Sequence, residues 1–344
     1  MLSVLTADLA RGVELSPAAV ADSIAALTAP DLAPEPKAEF LAAFARKGET
    51  PAEIAAFAAE LRIRAAPLPL RPETRAEELL DVCGTGGDRL GTFNISTTVA
   101  LVCAAAGVTV AKHGNRAITS KSGSADVLVA LGVPVELSPA DAAAALAEQG
   151  FAFLLAPRYH PAFKHIAPAR KLCADAGQRT IFNFLGPLLN PARPGTQLVG
   201  LSRPELTEPI ARTLQALGGR RAMTVCGRTP EGFLDELSTL GATGLAEFYH
   251  DRGFSTSELD PAHFPIQPAT LADLAGGDAA DNARLIRRLL AGEDRGPRRD
   301  AVLLNAGAAL FVAGRAAGIG AGWELAAGVI DSGAAARKLA DLAR

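Results

Sequence analysis

From Leu79 onward, short apolar runs alternate with helical segments, and that alternation leaves few architectures open. The runs cover 79–83, 108–111, 151–155, 197–201 and 222–226; helical periodicity falls between them, at 95–106, 139–149 and 204–217. Strands separated by helices of this length join in parallel, because a parallel crossover needs a dozen or more residues and a helix fills them. The pattern therefore predicts an α/β domain around a central, mostly parallel sheet.

The residues before the alternation read differently. Ser16-Pro17 opens a helix with serine as N-cap and proline in the first turn, and Val20, Ile24 and Leu27 follow on one face. Phe40, Leu41 and Phe44 mark a second helix that ends near Gly48; Thr50-Pro51 opens a third, carrying Ile54, Phe57 and Leu61. Helices this short need partners for their apolar stripes, so a small bundle is expected. Pro67, Pro69 and Pro72 make 65–78 a linker. The last stretch is helical again, at 282–290, 299–312 and 323–342. The expected division is a small helical domain over 1–70 and a large α/β domain over 71–344.

Bulk chemistry excludes several classes. A net charge of -3 gives no basic field for nucleic acid. Cys83, Cys103, Cys173 and Cys226 form no CxxC pair and sit in apolar or helical stretches. They are expected to be buried thiols rather than a disulfide or metal site, which fits a reducing cytoplasm. No basic segment followed by an apolar core opens the chain, so no signal peptide is expected. Asn305, Arg315 and Glu324 interrupt the most apolar C-terminal stretch, which argues against a membrane span.

Two clusters carry chemistry. The first is Cys83-Gly-Thr-Gly-Gly-Asp88, followed by Thr92-Phe-Asn-Ile-Ser-Thr97. A strand ends, glycines turn, and a helix begins, presenting free N–H groups and a positive dipole end to an anion. Its spacing is neither GxGxxG nor a Walker A. A polar-capped tight turn is the alternative for this cluster alone. The second runs from Lys112 to Asp126, with two lysines, an arginine, a histidine, an asparagine and four hydroxyls between apolar elements. That density of donors suits a diphosphate, and loops at the carboxyl ends of α/β strands are where ligands bind.

In order, GTGGD, FNIST, KHGNR and SKSGSAD resemble the phosphoribosyl-pyrophosphate (PRPP) site of the anthranilate phosphoribosyltransferases. Tyr159-His-Pro-Ala-Phe-Lys164 with Arg170, Arg179-Thr-Ile-Phe-Asn183 and Leu185-Gly-Pro-Leu-Leu-Asn-Pro191 are similar to that family's acceptor stretch, and Leu234-Asp-Glu-Leu-Ser238 to its acidic metal pair. The resemblance implies an enzyme that transfers the phosphoribosyl group of PRPP to the amine of anthranilate, with Mg2+ as cofactor. It implies donor contacts at Gly84, Gly87, Asp88, Thr92, Asn94, Ile95, Ser96, Thr97, Lys112, His113, Gly114, Asn115, Arg116, Ala117, Ile118, Thr119, Ser120 and Ser124. Ser96, Asp235 and Glu236 would hold the metal. Gly84, Asn115, His160 and Arg170 would take anthranilate, with His113 also bordering the ring. Lys112, Asn115 and Arg170 would position the reactants and stabilise the leaving group, with no certain acid–base catalyst. It further implies a homodimer through the N-terminal helices, a helical domain joined by part of 160–191, and an active site between the two domains.

Some points stay open at this level. Adjacent acids on a strand face opposite ways, so Asp235 and Glu236 share a site only from a loop or around two ions; a solvated acidic pair is the alternative. His160 reads equally as functional or structural, whereas His165, His250 and His263 read as structural. Between Arg170 and Arg179 the chain carries a few more residues than the family pattern, so these two arginines could exchange roles. Two rivals remain: a pyrimidine nucleoside phosphorylase of the same fold group, and a non-catalytic relative that binds nucleic acid.

Overall fold

The computed structural model describes residues 1–117, 121–250 and 253–344. Four helices come first: α1 (Leu2–Ala10), α2 (Pro17–Thr28), α3 (Pro34–Lys47) and α4 (Pro51–Ile63). Their starts follow from local chemistry. The Ser16 hydroxyl accepts from Ala19 N, and Thr50 and Glu53 form a reciprocal capping box. Buried Glu53 also accepts from Leu15 N at 2.8 Å and pairs with Lys47 at 2.7 Å, so one carboxylate ties α3 and α4 to the loop before α2.

The linker contains one short helix, α5 (Pro72–Ala76), and the alternating part follows: β1 (Leu80–Gly84), α6 (Ile95–Ala105), β2 (Val110–Gly114), α7 (Ser124–Leu131), α8 (Pro139–Gln149) and β3 (Phe151–Leu155). Then come α9 (Ala156–Tyr159), α10 (Ala167–Asp175), β4 (Thr196–Gly200), α11 (Thr207–Ala216) and β5 (Arg221–Thr229). The strands lie in the order β3-β2-β1-β4-β5, all parallel, as the alternation predicts. The order reverses between β1 and β4, and at such a point loops part and leave a crevice at the carboxyl ends of the strands.

Three antiparallel strands were not expected: β6 (Gly232–Leu234), β7 (Thr243–Tyr249) and β8 (Gly253–Leu259). β6 and β7 both pair with β5, and β8 pairs with β7. Ser255, Thr256, Ser257 and Glu258 on the outermost strand are the polar residues that an exposed sheet edge carries, and they hide the alternation that marks a strand. Four helices close the chain: α12 (Ala279–Leu290), α13 (Pro297–Val312), α14 (Ile319–Asp331) and α15 (Ala334–Leu342). The single helix expected over 323–342 is two, because Gly333 takes a φ of 73° between them.

Helices cover both sheet faces. One apolar cluster joins β1, β2 and β5 to α6, α7 and α12–α15. A second joins Val199, Leu201 and Ala222 of the sheet region to α1–α4, α11 and the segment holding Ile166, Cys173 and Phe182, and a third, smaller one packs α8 on Ala111, Ala152 and Leu154. All four cysteines are buried and free. Among the described residues no helix is long and apolar enough to cross a membrane.

Candidate active site

The glycine loop after β1 bends sharply: Gly86, Gly87, Arg89 and Gly91 all have φ between 60° and 82°. Its second half is held by a distant segment. Phe93 N donates to Leu274 O at 3.0 Å and Gly276 N to Gly91 O at 2.9 Å, and Thr92 bridges Ala275. Asn94, expected as the N-cap of α6, makes no side-chain cap bond. Instead its Oδ1 accepts from Asn282 Nδ2 at 2.9 Å and its Nδ2 donates to Ser122 O at 3.3 Å, which ties the two donor loops together. Ile95 and Thr97 are buried in the helix packing.

Asp235 and Glu236 follow β6 and cross the ends of β1, β4 and β5. Three glycines make room, two ending β1 and β4 and one two residues before the end of β5. A Cβ on Gly84 would lie 2.3 Å from Asp235 Oδ2, one on Gly200 1.6 Å from Asp235 O, and one on Gly227 2.6 Å from Glu236 O. The acids therefore do sit on a bend, as a shared site requires. Asp235 Oδ2 accepts from Gly86 N at 2.7 Å; Glu236 Oε1 accepts from Ser96 N, at the start of α6, at 3.1 Å. Burial, then the Asp88 carboxylate, pushes Asp235 up to about 7. Burial, then Asp235, holds Glu236 well above the ordinary carboxylate range.

This donor set fits a hard cation. Asp235 and Glu236, both held up by burial and by neighbouring carboxylates, lie beside the Ser96 hydroxyl; these are oxygen ligands of the kind magnesium takes, and a divalent charge would relieve their repulsion. Among the described residues no three His, Cys, Asp or Glu side chains form a metal cage by themselves. Magnesium commonly binds through one or two carboxylates, substrate phosphates and water, so a partial set is what it needs.

Lys112 is buried, with Nζ donating to Val82 O and to Ser96 Oγ (3.4 Å), which puts its charge beneath the start of α6. In the loop beyond, Asn115 Oδ1 accepts from Arg116 N and Asp126 Oδ2 from Ala117 N, both at 2.8 Å. Ser124 begins α7, and Gly114 packs on the Phe153 ring. Arg116 pairs with Asp126 and Glu136 on the exposed side of this loop. Ile118, Thr119 and Ser120 lie outside the described residues.

The acceptor side is a row of rings. His113 and His160 meet edge to face at 5.5 Å; His160 stacks on Phe163 at 5.2 Å, Phe163 meets Phe182 at 5.6 Å, and the Arg170 guanidinium lies 5.5 Å over Phe182. His113 Nδ1 lies 3.2 Å from Gly186 O and His160 Nε2 2.9 Å from Leu189 O. A carbonyl only accepts, so those nitrogens carry the protons. Burial lowers both imidazoles, His113 to about 3, and both are neutral at pH 7. His113 Nε2 is left as a buried acceptor with no protein partner.

Arg170 is half-buried on α10 and forms no ion pair among the described residues, while Arg179 is exposed. The residues between them complete α10 and turn at Gly177 (φ 69°), with Lys171 and Asp175 paired one helical turn apart.

Several residues around the site were not singled out from sequence. Asp81 is a carboxylate in the middle of an apolar strand and is fully buried; its position alone was a signal, since a charge is rarely buried without partners. Asn282 and the Leu274–Gly277 contact gave no local signal.

The comparisons agree with this geometry. A family model described as "Glycosyl transferase family, a/b domain" matches residues 76–336. An anthranilate phosphoribosyltransferase of Desulfosudis oleivorans is 47% identical over 303 residues, 88% of this chain and 86% of its own. The crystal structure of the Thermus thermophilus enzyme of that name superposes with a TM-score of 0.89 at 42% identity, covering 98% of both chains. A Saccharomyces cerevisiae one, solved with PRPP and Mg, gives 0.86 at 28% identity, over 99% of this chain and 97% of that one. Fold, motif order and near full-length identity converge, and the chain belongs to the anthranilate phosphoribosyltransferase family.

Proposed function

We propose that this chain transfers the phosphoribosyl group of PRPP to the amine of anthranilate, giving N-(5-phosphoribosyl)anthranilate and pyrophosphate, a step of tryptophan biosynthesis. The observation that carries this is the junction at His113. On one side lie loops rich in N–H groups and hydroxyls with an acidic segment across them; on the other, a row of rings ends at a guanidinium. A charged sugar diphosphate suits the first and a flat aromatic carboxylate the second.

In this reading the glycine loop, Ser96 and the start of α6 receive the diphosphate, and the buried Lys112 charge favours negative charge there as the leaving group departs. Magnesium, held by Asp235, Glu236 and Ser96, would neutralise part of that charge when bound. Arg170 takes the carboxylate of anthranilate, and its half-buried place against Phe182 supports it over exposed Arg179 for that role. The aromatic amine has a free lone pair at pH 7, so its nitrogen attacks the anomeric carbon without prior deprotonation. The C–N bond forms as the C–O bond to pyrophosphate breaks with its electron pair, and the amine then sheds a proton. Neutral His113 offers Nε2 as an acceptor for an amine hydrogen. Positioning and leaving-group stabilisation carry most of the rate.

The same reading counts part of 160–191 with the helical domain of 1–70, supported by the apolar cluster that α1–α4 share with Ile166, Cys173 and Phe182. It also carries a homodimer through the first helices, which leave Val4, Val13 and Ile63 exposed; sedimentation tests that. The test of function is anthranilate fluorescence followed with PRPP and magnesium, with and without chelator. Loss of fluorescence that the chelator stops is expected. Turnover of thymidine with phosphate, or salt-sensitive binding of single-stranded DNA without PRPP turnover, would overturn the reading.

A further inference from the structure

β1 and β2 start as an ordinary parallel pair. Leu80 stands opposite Val110, and Leu80 N donates to Thr109 O at 3.0 Å. Their pairing stops there, yet each strand continues to its end and stays paired on its other side, β1 with β4 through Gly84 and β2 with β3 through Gly114. A continued ladder would take Val82 N to Ala111 O and His113 N to Val82 O. Side chains occupy three of those four backbone groups instead. Asn190 Nδ2 donates to Ala111 O at 2.7 Å, His113 N donates to Asp81 Oδ1 at 3.3 Å, and Lys112 Nζ donates to Val82 O. Asn190 Nδ2 also donates to Asp81 Oδ2 at 2.8 Å, which closes the group. The three side chains are 0–1% exposed.

Two missing rungs are thus replaced by three buried polar side chains, which is costly compared with a plain ladder. The replacement occurs just before Gly84 and Gly114, where the strands lead into the two loops of the site. Asn190 also ends the segment whose Gly186 and Leu189 carbonyls fix the His113 and His160 rings.

We propose that Asp81, Lys112 and Asn190 form a polar wedge that holds the ends of β1 and β2 apart, making Asp81 and Asn190 positioning residues that set the donor loops against the acceptor rings. The functional half of this inference rests on the transfer reaction proposed above; the wedge itself does not. A regular ladder would draw the glycine loop toward the lysine loop, and the acceptor segment would lose its anchor between the strands.

The test uses the full-length chain and three variants: Asp81→Asn, Asn190→Asp and both together. Asn190→Asp removes the donor that bridges the strands and sets a second carboxylate against Asp81. The double variant restores one amide–carboxylate bond with its direction reversed and leaves an amide oxygen for His113 N; Ala111 O stays without its Asn190 donor, so recovery is partial. Each single variant is expected to lower kcat about 100-fold, the scale of an ångström-sized misplacement, with a melting temperature that does not track the loss. The double variant should recover at least about tenfold over the worse single, since coupled neighbours depart from additivity. Amide hydrogen exchange at His113, read without substrates, should speed up in Asn190→Asp and return toward native in the double variant. A native chain with no turnover would sink the transfer reaction while exchange still judges the wedge. If Asn190→Asp does not fold, Asp81→Asn decides: folded protein with native kcat overturns the proposal. So does a double variant no better than the worse single.

Discussion

Gly200→Ala tests how the acidic segment is held. Gly200 ends β4 beneath the chain that carries Asp235 and Glu236, and a Cβ there would lie 1.6 Å from Asp235 O and 2.4 Å from Asp235 C. Both atoms are backbone, so no rotamer relieves the clash. Ordinary non-bonded contact is about 3.5 Å, so the segment has to rise by about 2 Å. Overpacking of this kind costs about 1–3 kcal/mol. That much movement also breaks the bonds from Gly86 N and Ser96 N, which are 2.7 and 3.1 Å long. Since about 1 Å of misplacement costs on the order of 100-fold, kcat should fall at least that far. Steady-state anthranilate fluorescence across a magnesium titration is the assay. The half-saturating magnesium concentration should rise as kcat drops. Gly320→Ala, on α14 with open space around its Cβ, is the control and should be silent. A folded Gly200→Ala protein with native kcat and native magnesium dependence would refute the account of the crossing.

The remaining expectations are more direct. Arg170→Ala should raise the KM for anthranilate at least tenfold and leave the PRPP KM nearly unchanged, whereas Arg179→Ala should alter neither; the reverse pattern would exchange their roles. His113 is held neutral by burial, its pKa lowered from 6.5 to about 3. The folded state then binds fewer protons at this ring than the unfolded one below pH 6.5, so the contribution of His113 to stability should fall by about 1.4 kcal/mol per pH unit from there toward the folded value. Asp235 and Glu236, whose carboxyls are held up, work in the opposite direction over the same range, so the effect is read as the difference between the native chain and His113→Asn in urea melts at pH 7.5 and 5.5; an equal change with pH in both would contradict the cause given. Glu236→Gln removes a buried carboxylate that Asp235 repels. Without magnesium it should melt higher than the native chain, and with magnesium it should turn over at least about 100-fold more slowly; a lower metal-free melting temperature would argue against the repulsion.

Much of the architecture was legible because it is local. Strand-turn-helix alternation fixed the parallel half, and Ser16 and Thr50 with their prolines marked helix starts to within a residue or two. β8 was not legible, since a sheet edge is written in polar residues such as Ser255 and Thr256, and β7, paired on both sides, buries Thr243, Leu245, Ala246, Phe248 and Tyr249 without the regular alternation that marks a strand. On the site, the glycine loop, the lysine loop and the Asp235-Glu236 pair stand out as residue types in clusters. What joins them does not. Asn94 reads as a helix cap, yet Asn282, far along the chain, takes its carbonyl oxygen. Asn282 is 188 residues from Asn94, and no window of neighbouring residues contains both.

The bridge from Thr92 to Ala275 has a consequence for how the molecule matures. On a ribosome the glycine loop emerges about 180 residues ahead of the strip that clasps it, a delay of roughly ten seconds or more at ordinary elongation rates. Until then Phe93 N–H and Gly91 C=O have no clasp, and Asn94 has no Asn282. A nascent fragment ending before Leu274 therefore carries every glycine of the motif without the contacts that hold the second half of the loop.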